Sequence, residues 1–389
     1  MENNLCKYTF EWDGLDEFIH NNDFSNFIGS SESFVKVKLP NFVSNYGIGD
    51  EINFPEKYVE PHEYENIVIN FKKCNWLGAA EYLSSLEFEK ANFVENIISV
   101  SRDVVNKNIF HEALVNRYLL FLRDYLAYKH NKNEIIGKIG KPKIYLTHDV
   151  DSIKVNFSLK LRQYFHTKIW PNFNNERELN FIKEIILLEK KYNTQSIFFL
   201  NGAKKFKLPL FDPSYKLEEL NKEIEYFNKN KIQYGIHPGI LSSFFHFALK
   251  SEIKNFKKFS DVPNIMLRNH WLSHFKKRTW KIHEKLNVTH DFSLGFNDIP
   301  GLRNFSLLEY KPLGNVKTIP MIFMDGQVHN YLKEDKDNII TIIRPLIQEL
   351  KNVGGVASIN FHQRFFHSYY GYKEIYEKLL NYLSEEEVL

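Results

Sequence analysis

Two cysteines, Cys6 and Cys74, are all that 389 residues contain. They are too few for a disulfide scaffold or a cysteine-rich zinc module, and both read as plain thiols. No sign of charge dominates: 51 Lys and Arg against 48 Asp and Glu leave +3. That balance argues against nucleic acid or an anionic membrane as the main partner. No run reaches the roughly 18 apolar residues of a membrane-crossing helix. The strongest runs, 196–200 and 339–343, are short enough for buried strands or helix faces. The opening MENNLCKYTFEWDGLDEF has acidic residues and no long apolar core. It does not read as a secretory signal, so a cytoplasmic address is the default. What is abundant is aromatic: 34 Phe, 21 Tyr and 5 Trp, enough to build a large core and to exclude a disordered chain.

The pattern divides near residue 140. Residues 1–138 carry no sharp motif and read as a smaller accessory α+β domain. Loop-like clusters lie at 41–50 and 55–65. Leu114, Tyr118, Leu119, Phe121 and Leu122 then recur at helical spacing. A stretch with two glycines, a proline and four lysines follows, as in a linker. From 139 to 389 strands and helices alternate. Strands are predicted at 143–151, 196–200, 233–237, 265–271, 288–294, 317–326 and 356–365. Helices are predicted at 179–192, 217–230, 244–259, 276–286, 337–352 and 373–383. This alternation predicts about seven parallel strands in a distorted (β/α) barrel or a doubly wound sheet.

Most of these strands start apolar and end in ionisable groups: Asp149 and Asp151, His237, Arg268 and His270, Asp291, His362. In a parallel α/β barrel the carboxyl ends of the strands open on one face, where active sites lie. Two carboxylates two apart, Asp149 and Asp151, suit one divalent cation and one proton acceptor. Asp also favours turns and helix caps. The neutral imidazole of His237 suits Zn²⁺. Arg268 and His270 share parity, and a buried Arg268 needs a carboxylate such as Asp149 or Asp291. His274 and His367 read as surface or supporting residues, and Trp280 as core.

In order and spacing these residues resemble the polysaccharide deacetylase (NodB-homology, carbohydrate esterase family four) superfamily. The resemblance is to a branch found in surface-polysaccharide biosynthesis clusters, with a small N-terminal domain. It rests on Thr147-His148-Asp149-Val150-Asp151, Gly235-Ile236-His237-Pro238, Arg268-Asn269-His270-Trp271-Leu272, Asp291-Phe292-Ser293-Leu294-Gly295 with Gly301-Leu302-Arg303, and His362. It covers about 143–389 and implies a metal-dependent deacetylase. Asp149 would be the base that takes a proton from the attacking water. Asp151 and His237 would be metal ligands, and Arg268 would orient Asp149. His362 would be the acid for the leaving amine, with Asp291 beside it holding its charge. Trp271 and Arg303 would contact the sugar.

One departure matters: the family's His-x-x-x-His places Leu241 where a second histidine belongs. His270 is the expected third ligand, ahead of His148 and His246. The implied ion is Zn²⁺, with Co²⁺, Ni²⁺ and Mn²⁺ as alternatives. The implied substrate is an acylated saccharide, free or on a lipid or nucleotide carrier, in capsule or lipopolysaccharide synthesis. Two other readings stay open. A glycosyltransferase also places Asp-x-Asp after an apolar strand, and an inactive barrel would bind polysaccharide without turning it over.

Overall fold

The computed structural model describes residues 34–41, 43–59, 69–70, 74–89, 107–153, 179–202, 206, 212–213, 215–260, 262–332, 334–367 and 370–389. Cys6 and most of the 55–65 loop cluster lie outside them. A three-stranded sheet opens the described chain. In it β1 (Phe34–Lys38) runs antiparallel to β2 (Glu51–Pro55) and parallel to β3 (Ile69–Asn70). The strands β1 and β2 border a segment read from sequence as loop; each is only five residues long. Helix α1 (Trp76–Ser84) follows, and then α2 (Leu114–Lys129). Helix α2 buries residues on every side, as a helix must when it is packed all round. On one flank Tyr118 meets Phe54 and Trp76 at ring distances of 5.0 and 5.4 Å. On the other, Val115 donates its N–H to Phe305 O and Asn116 accepts from Leu307 N.

The remainder is a closed barrel of seven parallel strands. In spatial order they are β11 (Val356–Asn360), β4 (Lys143–Val150), β5 (Ile197–Asn201), β6 (Gln233–His237), β7 (Ile265–Leu267), β8 (Val288–Leu294) and β10 (Val316–Met324). Pairing of β10 with β11 closes the ring. A strand absent from the sequence reading, β9 (Tyr310–Leu313), adds antiparallel to β10. Helices α3 (Leu179–Lys191), α4 (Asn221–Asn230), α5 (His246–Phe256), α6 (Lys276–Lys285), α7 (Ile339–Val353) and α8 (Lys373–Glu385) connect or follow the strands. Two strands end well short of the sequence reading: β7 stops at Leu267 and β11 at Asn360, and a 3₁₀ turn follows each. None of the described helices is long and apolar enough to cross a membrane.

Strand parity decides what fills the barrel. Ile197, Phe199, Phe292 and Ile319 pack together inside, with Tyr145, Met266 and Val356 against them. Gly235 of β6 belongs to this layer. A Cβ there would sit 2.5 Å from Met266 O and 3.0 Å from the Phe199 ring. Glycine is what lets Phe199 occupy the space beneath His237.

Candidate metal centre and active site

Towards the carboxyl ends of the strands, the inward parity passes from apolar to polar. Arg268 lies fully buried, its guanidinium 4.9 Å from the Phe199 ring centre. It donates to Thr147 Oγ1 at 2.7 Å, Asp149 Oδ1 at 3.1 Å and the Phe292 carbonyl at 3.1 Å. The second oxygen of Asp149 accepts from Asn360 Nδ2 at 2.9 Å. Burial pushes the Asp149 carboxyl up, but Arg268, then His237 and His362, pull it further down, so it is held below the usual carboxylate range.

Beyond Asp149, one ligand atom each from Asp151, His237 and His270 lies within 4.8 Å of the others. The two imidazoles face Asp151 Oδ1 with Nε2, at 3.3 Å from His237 and 3.7 Å from His270. Both rings are fixed from behind. His237 Nδ1 is 2.6 Å from the Arg268 carbonyl, and His270 Nδ1 is 3.1 Å from Asp212 Oδ1. A nitrogen facing those acceptors carries the hydrogen, which leaves each Nε2 lone pair free for the cavity. Asp151 Oδ1 is buried and makes no hydrogen bond.

These residues fit a divalent ion. Donors about 2.1 Å from a tetrahedral ion stand roughly 3.4 Å apart. The imidazole and carboxylate set suits Zn²⁺ and its neighbours. The other oxygen of Asp151 is occupied: Arg364 Nη1 is 2.5 Å away and His362 Nε2 3.4 Å. Burial raises the Asp151 carboxyl, but Arg364, His362, His237 and His270 together draw it well below its ordinary value. For His237 burial pushes downward, and Asp149 and Asp151 overcome it, so its imidazole is raised.

His362 follows β11 and turns its Nε2 to this same centre. Its Nδ1 lies 2.6 Å from Asp325 Oδ1, and its backbone N–H donates to Asp325 Oδ2 at 2.7 Å. Here the sequence reading needs correction. Asp291 does not sit beside His362. It neighbours the inward Phe292 on β8, so it points out of the barrel. Its Oδ2 lies 3.2 Å from His283 of α6 and 3.5 Å from His274, with neither aligned as a hydrogen bond. Burial pushes the His274 imidazole down despite this carboxylate. The carboxylate partner of His362 is Asp325, which directly follows β10. The rule that picked out the other strand ends marks Asp325 equally well. Arg364, in the turn after β11, has the same signal, whereas Asp212 has none.

Arg303 also needs correction. It is buried, paired through Nε and Nη2 with Glu89, and bonded to the Leu272 and His274 carbonyls, so it offers no surface to a sugar. Trp271 is half-buried beside His270, their ring centres 6.3 Å apart. His148 turns outward to Glu189 and the Phe361 carbonyl, and His246 opens α5; neither joins the centre. His274 and His367 are buried rather than on the surface; Trp280 and Cys74 are buried as well.

No family model and no curated protein matches this chain. Among solved structures it is similar to a protein named as a polysaccharide deacetylase from Mycobacterium smegmatis. That pair shares 12% identity at a TM-score of 0.40, over 65% of this chain and 96% of the other. It is also similar to a mutant of a CE4 family pseudoenzyme with restored enzymatic activity. There the identity is 13% and the TM-score 0.35, over 64% of this chain and 65% of the other. Likenesses this distant carry no argument about activity. What the chain does has to be read from the centre itself.

Proposed function

We propose that the chain is a metal-dependent hydrolase that removes an acyl group, such as acetyl, from an amino sugar or acylated saccharide. The observation that carries this reading is the convergence of Asp151, His237 and His270, with His362 Nε2 3.4 Å from Asp151 and with the Asp149 carboxylate near enough to feel His237 and His362. A bound divalent ion would polarise the acyl carbonyl and favour attack by water. Asp149, ionised and braced by Arg268 and Asn360, accepts the proton of that water. His362, oriented by Asp325, donates a proton to the departing amine or alcohol. The hydrogen-bonded Nδ1 atoms of His237 and His270 keep both rings turned to the centre.

This division of labour separates the two carboxylates of Asp149-Val150-Asp151. A glycosyltransferase would use that motif to hold an ion on a diphosphate, but Asp149 is committed to Arg268 and Asn360. Zn²⁺ is the ion proposed, with Co²⁺, Ni²⁺ or Mn²⁺ as substitutes. The substrate proposed is a saccharide intermediate of surface-polysaccharide synthesis in the cytoplasm, free or carrier-linked. Residues 1–138 are proposed as a unit that buttresses the barrel of 139–389.

The deciding experiment is elemental analysis of the purified protein with its His237→Ala, His270→Ala and Asp149→Asn variants, beside acetate release from N-acetylated saccharides. One ion per chain should be lost in both histidine variants and kept in Asp149→Asn, whose turnover should vanish. Full activity in Asp149→Asn would remove it as the base. A wild-type protein that takes no metal on reconstitution would leave only saccharide binding.

A further inference from the structure

We infer that the buried Glu89–Arg303 ion pair is a positioning device for His270, so that the N-terminal part of the chain sets the third donor of the centre. The inference rests on reading Asp151, His237 and His270 as metal ligands. It begins with a backbone that no local preference explains. After β7 the chain enters a 3₁₀ turn at His270–Leu272 and leaves His270 with Trp271 at φ 57°, Leu272 at φ 49° and, where α6 begins, Lys276 at φ 47°. None of these is a glycine, and side-chain-bearing residues visit this left-handed region sparsely. Such a conformation persists only where its surroundings over-determine it.

The surroundings do. His270 N donates to Pro238 O at 2.9 Å, and Asn269 N to Ser293 Oγ at 2.9 Å. Asn297 Nδ2 donates to Trp271 O at 2.7 Å. Arg303 then reaches two carbonyls at once, Leu272 O at 3.2 Å and His274 O at 3.3 Å. Arg303 therefore grips the loop two and four residues beyond the donor. A guanidinium this deeply buried needs a paired carboxylate. Glu89, also buried, supplies it in bidentate form, Nε to Oε1 at 2.8 Å and Nη2 to Oε2 at 3.1 Å. The Glu89 carbonyl accepts from Lys276 Nζ at the far end of the same loop. A single residue next to α1 thus fastens the loop at Lys276 directly, and at Leu272 and His274 through Arg303. No carbonyl that Arg303 grips belongs to a residue with a role in the chemistry. Its action on the centre passes through the backbone that carries His270.

Co²⁺ titration followed by its visible absorption bands tests this, because the bands report coordination geometry as well as occupancy. Arg303→Lys keeps the buried charge but loses the forked grip on two carbonyls. The double variant Glu89→Met/Arg303→Met removes both charges, so neither is left buried without its partner, and it frees the Leu272 and His274 carbonyls. Circular dichroism checks that each is folded. Both should bind Co²⁺ roughly 10–100-fold more weakly than wild type, the scale for losing a group that orients a ligand, with bands altered towards those of His270→Ala. If the double variant does not fold, Arg303→Lys decides. Wild-type Kd and bands in the folded variants would overturn the inference. A wild-type protein that binds no Co²⁺ would overturn the ligand assignment, and the positioning role with it.

Discussion

Asp325→Asn is the sharpest perturbation of the proposed chemistry. The carboxylate is fully buried and accepts three hydrogen bonds: from His362 Nδ1 at 2.6 Å, His362 N at 2.7 Å and Gly326 N at 2.6 Å. At 2.6 Å and an effective dielectric of about 20, a carboxylate and a protonated imidazole attract by about 6 kcal/mol. At about 1.4 kcal/mol per factor of ten, that sets a ceiling of roughly 10⁴ on the loss. Asparagine has the same shape but no charge to hold a protonated imidazole, and in either orientation its amide N–H₂ meets an N–H that the carboxylate accepts. A loss of roughly 10²–10⁴ in kcat on an acetamide is therefore expected. The assay compares that acetamide with an activated aryl acetate, whose leaving group needs no acid. Asp325→Asn should damage the acetamide reaction far more than the ester reaction, at unchanged metal content. Asp291→Asn is the control, because Asp291 faces His274 and His283 instead. Equal losses on the two substrates for Asp325→Asn, or a substrate-selective loss for Asp291→Asn, would refute the assignment.

Two further outcomes concern stability. Arg117 of α2 is paired in the interior with Glu349 of α7, which also accepts from Ala113 N at 2.5 Å. Arg117→Met leaves that glutamate buried without its counter-charge and should cost about 3–5 kcal/mol in urea unfolding; adding Glu349→Gln should recover part of it, and a single variant as stable as wild type would show that water already neutralises the pair. Glu252 accepts from Gly239 N and Ser242 Oγ next to His237, and burial pushes its carboxyl up to about 7. A folded-state value above the unfolded one means that its contribution is complete below the unfolded value and is lost as pH rises to about 7. Glu252→Gln should therefore gain up to about 3 kcal/mol over wild type at pH 8 and little at pH 4.5; melting curves showing the same difference at both pH values would rule this out.

How much of this was legible in the sequence depends on how locally each feature is determined. The barrel strands announced themselves because buried parallel strands are continuous apolar runs, and IFFL or VASIN can hardly be anything else. Asp149, Asp151, His237 and His362 followed from being the polar residues at which those runs stop. Asp291 failed for a reason of parity alone. It stands one residue from Phe292, and a single step along a strand exchanges the inside of a barrel for the outside. Asp325 carries the same strand-end signal, but a lone Asp before Gly is equally what a turn presents, and only the pairing of β10 with β11 brings it beside His362.

His270 lies beside Asp151 and His237, but not for the reason that the sequence suggested. The sequence reading put it on a strand in phase with Arg268, but β7 ends at Leu267 and His270 sits in the following turn. The turn is the part that no window of sequence could reveal. Its left-handed residues are tryptophan, leucine and lysine, each of which disfavours that conformation in isolation. What stabilises the loop lies far away in the chain: Asn297 and Arg303 beyond β8, and Glu89 before the barrel begins. The local sequence around His270 therefore argues against the geometry that the centre needs. A His-x-x-x-His spacing fixes two donors within one short segment by itself. With Leu241 at that spacing, and His270 in the next strand's loop as the proposed third donor, that work would fall to long-range contacts. In this protein, metal affinity and the packing of the N-terminal sheet and helices against the barrel should consequently vary together.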